Sequence, residues 1–239
     1  MSSLLRRMAC GTDKGAVRKA NQDCVAIFPE MNLAVLADGM GGHKAGEVAS
    51  RMAIQVISES IDKGIELRES VILANDKIFQ RSQMSEAEFG MGTTLVACQY
   101  DGLQATIINV GDSRLYRHRK GAIKQITRDQ TVAQEMKDSP QGVADGYSAH
   151  KYEHVLTQAL GIQRNITPVM SNEVFEPGDI HLLCSDGLSG AIDDELMNQF
   201  LLTQSESLDA CIQSMLTASL KRFASDNVSI ALVRSLKGE

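Results

Sequence analysis

Residues 36–47 read LADGMGGHKAGE. The apolar run LAVLA, residues 33–37, stops at Asp38-Gly39; Gly41 and Gly42 follow, and a helical pattern begins a few residues later. Asp-Gly is common in turns, so a turn accounts for such a pair met alone. It accounts less well for a carboxylate placed after a strongly apolar run, where a bare charge is costly. Two familiar phosphate-binding glycine patterns do not fit. A P-loop needs Gly-Lys-Ser/Thr, but here Gly46 is followed by Glu47, and a dinucleotide fingerprint needs glycine where Lys44 stands. Gly41 and Gly42 still let backbone amides approach an anion near the helix start, where the helix dipole favours negative charge.

Working outward, CVAIF (24–28) and LAVLA read as two short strands around a Pro-containing turn. Downstream, Ala45, Val48, Ala49, Met52, Ala53, Val56, Ile57 and Ile61 recur at helical spacing, with Lys44, Glu47, Arg51, Gln55 and Glu59 on the other faces. A second helix is predicted over 66–83. From Gly92 to Thr127, TTLVACQY, LQATIINV, SRLYRHR and AIKQI read as an antiparallel meander, with Asp101-Gly102 at a hairpin tip. Residues 128–157 are polar and irregular, with one short helix near 130–137, and read as a flap. Strands resume near 167–175 and 180–185, helices follow over 193–202 and 206–222, and VSIALV is a final strand. Helices bracketing blocks of strands predict an α+β fold with sheets covered by helices.

Hydrophobic residues make up 43% of the 239-residue chain, enough for a substantial core, and no linker or repeat divides it. One domain over 1–239 is expected. With aromatics at 4% and no Trp, the core must be aliphatic, and the eleven methionines read as filler. The formal net charge of −6 argues against nucleic acid or an anionic membrane as partner. Five cysteines, an odd number without a CxxC, read as free buried thiols in a reducing compartment. The opening MSSLLRRMAC lacks a signal-peptide apolar stretch, and no run approaches a membrane span, so a cytoplasmic protein is expected.

The chemistry lies at strand ends. LAVLA runs into Asp38-Gly39, IINV-Gly111 into Asp112, IHLLCS into Asp186-Gly187, and Asp226-Asn227 precedes the final strand. Adjacent antiparallel strands bring such ends together at one sheet edge. Carboxylates that close repel unless a cation sits among them. An oxygen-only set favours Mg²⁺ or Mn²⁺, and no HExxH or paired Cys/His spacing offers a softer site.

Taken in order, Asn21-Gln22-Asp23, Asp38-Gly39-Met40-Gly41-Gly42, Gly92-Thr93-Thr94, Asn109-Val110-Gly111-Asp112-Ser113-Arg114, Ala159-Leu160-Gly161, Ser185-Asp186-Gly187 and Asp226-Asn227-Val228 resemble the motif set of the type 2C metal-dependent Ser/Thr protein phosphatases, in their short bacterial form. The resemblance runs from about residue 11 to residue 234. It implies a central antiparallel β-sandwich with helices on both outer faces, an α-β-β-α arrangement. It implies two Mn²⁺ or Mg²⁺ ions, with a third in some bacterial members. On this reading Asp38 bridges both ions, the Gly39 carbonyl binds one, and Asp186 and Asp226 hold the other. Asp23 acts through water on the metal, Asp112 holds a third ion, and Arg18 binds phosphate. Hydrolysis of phosphoserine or phosphothreonine in proteins is then expected, by water that the ions activate, with no phosphoenzyme. The expected partners are phosphorylated proteins and a counterpart Ser/Thr kinase, and the chain is expected to be a monomer.

Two positions depart from the family pattern. Gln22 stands where many members carry an acid, and Met40 stands where eukaryotic members carry a histidine that protonates the leaving group. A thioether donates no proton, and His43 reads as a polar residue at a helix start. His154 reads as an exposed loop histidine that can reach a third ion, Asp145 as a turn acid, and His118 and His181 as strand residues without spacing partners. Two rival readings stand beside the phosphatase: a catalytically silent relative that binds phosphoproteins, and a hydrolase of small phosphate esters. The first would be expected to lack a metal acid, and none is missing.

Overall fold

The structure is a computed structural model that describes residues 6–42, 45–84, 86–139, 150–204 and 206–236. Two antiparallel sheets pack face to face. The first has the strand order β1 (Arg6–Asp13), β11 (Val228–Ser235), β10 (Ile180–Cys184), β7 (Arg114–Arg119), β8 (Ala122–Gln125). The second has β2 (Asp23–Phe28), β3 (Leu33–Met40), β5 (Leu95–Asp101), β6 (Gln104–Val110), β9 (Val169–Val174), with the short β4 (Gly92–Thr93) paired to β3.

The run LAVLA is apolar at every position because both faces of its strand are covered. Ala34 and Leu36 point between the sheets, where they meet Val96, Cys98, Leu115, Leu183, Ala231 and Val233. Leu33, Val35 and Ala37 point the other way, under α1 (Ala45–Asp62) and α2 (Leu67–Ser82). On the opposite outer face, Leu182, Ile230 and Leu232 pack under α5 (Asp194–Gln204) and α6 (Leu208–Lys221) through Met197, Leu201, Ile212 and Met215. Each Val, Leu, Ile or Met side chain so enclosed contributes about 1.5–3 kcal/mol, and each alanine less. The result is the expected α-β-β-α stack. The α3 helix (Val132–Asp138) lies in the predicted flap, with the N-cap Thr131 hydroxyl accepting from the Gln134 amide. The short α4 (Asp186–Ser189) follows β10 directly.

Three expectations need correction. The strands from Gly92 to Thr127 are not one meander: β5 and β6 pair in the second sheet, β7 and β8 in the first, and the chain crosses between sheets at Gly111–Ser113. Strand β1 was not foreseen; its sequence, RRMACGTD, has little apolar alternation, and it is an edge strand held along its length by β11. The thiols are free, but Cys10 and Cys24 are only half-buried. No described helix is long and apolar enough to cross a membrane. His43 and Asp145 lie outside the described residues, as does Lys44.

Candidate active site

Five acids converge at one end of the sandwich because five chain segments end or turn there. β3 runs three residues beyond its apolar stretch, which sets Asp38 inside the strand and opposite Asp23 of β2. Its backbone is fixed on both sides: the Thr94 amide and Thr93 hydroxyl donate to the Asp38 carbonyl (2.8 and 2.9 Å), and the Asp38 amide donates to the Thr94 hydroxyl (3.1 Å). Gly39 has no substitute. A Cβ there would lie 2.1 Å from the Gly46 carbonyl oxygen and 2.5 Å from that of Gln22. The start of α1 is thereby drawn against the strand, and the Ser50 hydroxyl donates to the Gln22 carbonyl at 2.6 Å.

Asp112 sits in the crossover between sheets. The Gly111 amide donates to the Gln130 side chain at 2.7 Å, the Gln130 amide donates back to the Gly111 carbonyl, and the Asn109 side-chain amide donates to the same carbonyl. Asp186 opens α4, and its neighbour Gly187 lies so close to β11 that a Cβ would be 2.0 Å from the Asn227 carbonyl oxygen. Asp226 precedes β11. Asn227 ties that point to the loop bearing Arg18: its side-chain amide donates to the Lys14 and Ala20 carbonyls, and its side-chain oxygen accepts from the Gln22 amide.

Asp38, Asp112, Asp186 and Asp226 line one cleft of about 620 Å³, together with Arg18, Gly39 and Met40. Asp23 lies buried behind them, one oxygen accepting from the Ser185 hydroxyl at 2.8 Å. The protonation of the cluster reflects crowding. Burial, then the charges of Asp23, Asp186, Asp112 and Asp226, hold the Asp38 carboxyl well above the usual aspartate range. Burial, with Asp186 and Asp129 adding repulsion, pushes Asp112 up to about 7. Burial brings Asp23 to about 6 against the opposing hydrogen bonds from serines. Asp186 is raised by burial and by Asp226, with His154 offsetting part. One oxygen each of Asp23 and Asp186 is buried with no hydrogen-bond partner among the described residues. Buried, mutually repelling carboxylates with unsatisfied oxygens fit hard divalent cations.

Arg18 touches this cluster at its rim. It is about half exposed and pairs with Asp226 at 2.6 Å, a bond that raises its own basicity. His154 is exposed as expected (78%), yet its Nδ1 faces Asp186 at 3.5 Å, and Asp112, His154 and Asp186 each offer a ligand atom within 4.8 Å of the others. Sequence reading missed Gln130, which holds the Asp112 turn, and Arg222 and Phe223, which line the cleft. Gln130 carries no local signal; its partner is nineteen residues away.

Comparison with known proteins identifies the family. Residues 10–226 match the protein phosphatase 2C family. The chain is 32% identical over 236 residues to the serine/threonine protein phosphatase PstP of Mycobacterium tuberculosis, covering 96% of this chain but only 45% of that protein. It is 32% identical over 238 residues to the serine/threonine phosphatase stp of Listeria monocytogenes, covering 93% of each. It superposes on the PstP catalytic domain in complex with two manganese ions with a TM-score of 0.87 at 32% identity, covering 98% of this chain and all of that one. The chain belongs to the protein phosphatase 2C family.

Proposed function

We propose that this chain is a metal-dependent protein phosphatase that hydrolyses phosphoserine and phosphothreonine in proteins, acting as one domain over 1–239. The observation that carries the reading is the convergence of Asp23, Asp38, Asp112, Asp186 and Asp226, with two buried oxygens left unpartnered. The PstP catalytic domain with its two manganese ions supports the same kind of cofactor here. Asp38 and the Gly39 carbonyl, with Asp186 and Asp226, would hold two Mn²⁺ or Mg²⁺ ions, and Asp112 with Asp186 and His154 offers a place for a third. Such ions supply Lewis acidity, neutralising phosphoryl oxygens and making water acidic.

The chain's own groups do the rest. The planar fork of Arg18 reaches the rim of the cleft and grips phosphoryl oxygens in exchange for part of its contact with Asp226. Asp23, anchored by Ser185, orients water from behind Asp38. A water oxygen forms the new bond to phosphorus and gives up one proton to solvent, the bond to the serine or threonine oxygen breaks in line, and a proton from solvent completes the alcohol. Met40 lines the cleft and donates none. The expected setting is cytoplasmic and monomeric, with a counterpart Ser/Thr kinase and without nucleic acid or membrane. The net charge of −6 and the free cysteines support it.

The test is hydrolysis of a small aryl phosphate and of a phosphothreonine peptide with Mn²⁺ and with EDTA. Wild type should cleave both with Mn²⁺ and neither with EDTA, and Asp186→Asn should lose about 100-fold or more. No turnover of either substrate with Mn²⁺ would favour the silent relative. Turnover of the aryl ester alone would favour a small-molecule hydrolase.

A further inference from the structure

The connection from α6 to β11 carries an aromatic ring where the backbone asks for none. α6 ends at Lys221, and Phe223 follows with φ of 56°, in the left-handed region. The Phe223 amide donates to the Leu220 carbonyl and the Ala224 amide to the Ser219 carbonyl, both at 3.0 Å. This is helix-end bonding that glycine most often serves, and a bulky side chain there is strained. Folding gains little in return, because Phe223 is 80% exposed. The residue nevertheless lines the cleft, three positions before Asp226. Strain at an exposed aromatic beside a reaction centre points to a contact made outside the chain.

The neighbouring loop has a matching feature. The Ala16 amide donates to the Ala224 carbonyl at 3.3 Å, which ties the Arg18 loop to the Phe223 loop. Val17 on that loop is 66% exposed. Two exposed apolar side chains thus stand on the tied loops that carry Arg18 and Asp226, where a phosphoryl group would sit. Arg222, also exposed, makes no ion pair among the described residues.

We propose that Phe223 is a specificity-determining residue whose ring receives an apolar side chain flanking the phosphoresidue of a peptide substrate. The inference rests on the phosphoprotein reading above. A small ester has no flanking residue and gains nothing from the ring. A peptide laid across the cleft places neighbouring side chains on its lip while its phosphoryl is held at Arg18.

The experiment compares wild type, Phe223→Gly, Phe223→Asn and Phe223→Tyr with Mn²⁺ present. The substrates are an aryl phosphate, a phosphothreonine peptide with leucine at the two positions on each side, and the same peptide with glycine there. Wild type and Phe223→Tyr should prefer the leucine peptide by about tenfold in kcat/KM, through KM; an exposed apolar contact has this size. Phe223→Gly and Phe223→Asn tolerate the left-handed backbone, so they should fold and melt a few degrees higher. Both should bring the leucine preference below about twofold and lower the ratio of leucine-peptide to aryl-phosphate kcat/KM about tenfold. The inference is overturned if the preference survives loss of the ring, or if peptide and ester rates fall together. If wild type cleaves the aryl phosphate and neither peptide, the phosphoprotein reading fails and takes the inference with it.

Discussion

Asp38 shows how much a single carboxylate can cost a fold. It sits opposite Asp23 across two paired strands, with Asp186, Asp112 and Asp226 close enough to raise its proton affinity well above an ordinary aspartate's. Without a cation, the folded state carries that repulsion and the unfolded state does not. Asp38→Asn removes the charge while keeping the shape. Metal-free Asp38→Asn should therefore melt above wild type, by roughly 2–4 °C for each kcal/mol of repulsion relieved. The same variant should lose about 100-fold or more of the proposed Mn²⁺-dependent phosphatase activity. Thermal melts in EDTA and rates in Mn²⁺ check the two halves. A substitution that stabilises the protein and destroys its activity marks a residue kept for chemistry. Asp112 and Asp186 were legible for the reason Asp38 was, an acid beside glycine at the end of an apolar run, and Asp226 as the acid just before the final strand. Phe223 was not legible, because nothing in KRFAS announces a left-handed backbone or an exposed ring.

At the scale of elements, the glycines after the acids are as necessary as the acids. Gly187 lets the start of α4 lie against β11, and a Cβ would sit 2.0 Å from a backbone oxygen of Asn227 that no side-chain rotation can move. Gly187→Ala should lower the melting temperature by about 2–12 °C, since overpacking costs about 1–3 kcal/mol and splays the Asp186 and Asp226 segments. Gly42→Ala is the control, with nothing among the described residues within 4 Å of its Cβ, and should melt within about 1 °C of wild type. Most strands and helices were readable because their apolar patterns are strong; α1 and α2 lie within a residue of their expected spans. Pairing was less readable. LQATIINV and SRLYRHR look like consecutive hairpin strands, yet they belong to different sheets. The crossover at Gly111–Ser113 is fixed by Gln130 and Asn109, contacts that periodicity does not encode. β1 escaped because its order comes from β11, more than two hundred residues away.

For the molecule as a whole, the acid cluster makes stability depend on pH and on metal together. Burial holds Asp112 up at about 7 and Asp23 at about 6. An unfolded aspartate titrates near 4, so between about 4 and 7 the folded chain keeps protons that the unfolded chain has released. The raised carboxyls therefore make the metal-free protein less stable as pH rises through that window. Divalent ions replace the protons, so their effect should run the other way. The rise in melting temperature on adding Mn²⁺ should be larger at about pH 8 than at about pH 5.5, which a fluorescence melt at both values will read. An equal rise at both would mean that Mn²⁺ binds elsewhere.

The central claim is that distant acids converge to hold a pair of hard cations, and calorimetric titration of Mn²⁺ into the metal-free protein tests it most directly. At least two ions per chain should bind to wild type, and Asp38→Asn, which lacks the carboxylate proposed to serve both, should lose high-affinity binding of both. Fewer than one ion per wild-type chain, or the same two ions on Asp38→Asn, would contradict the account.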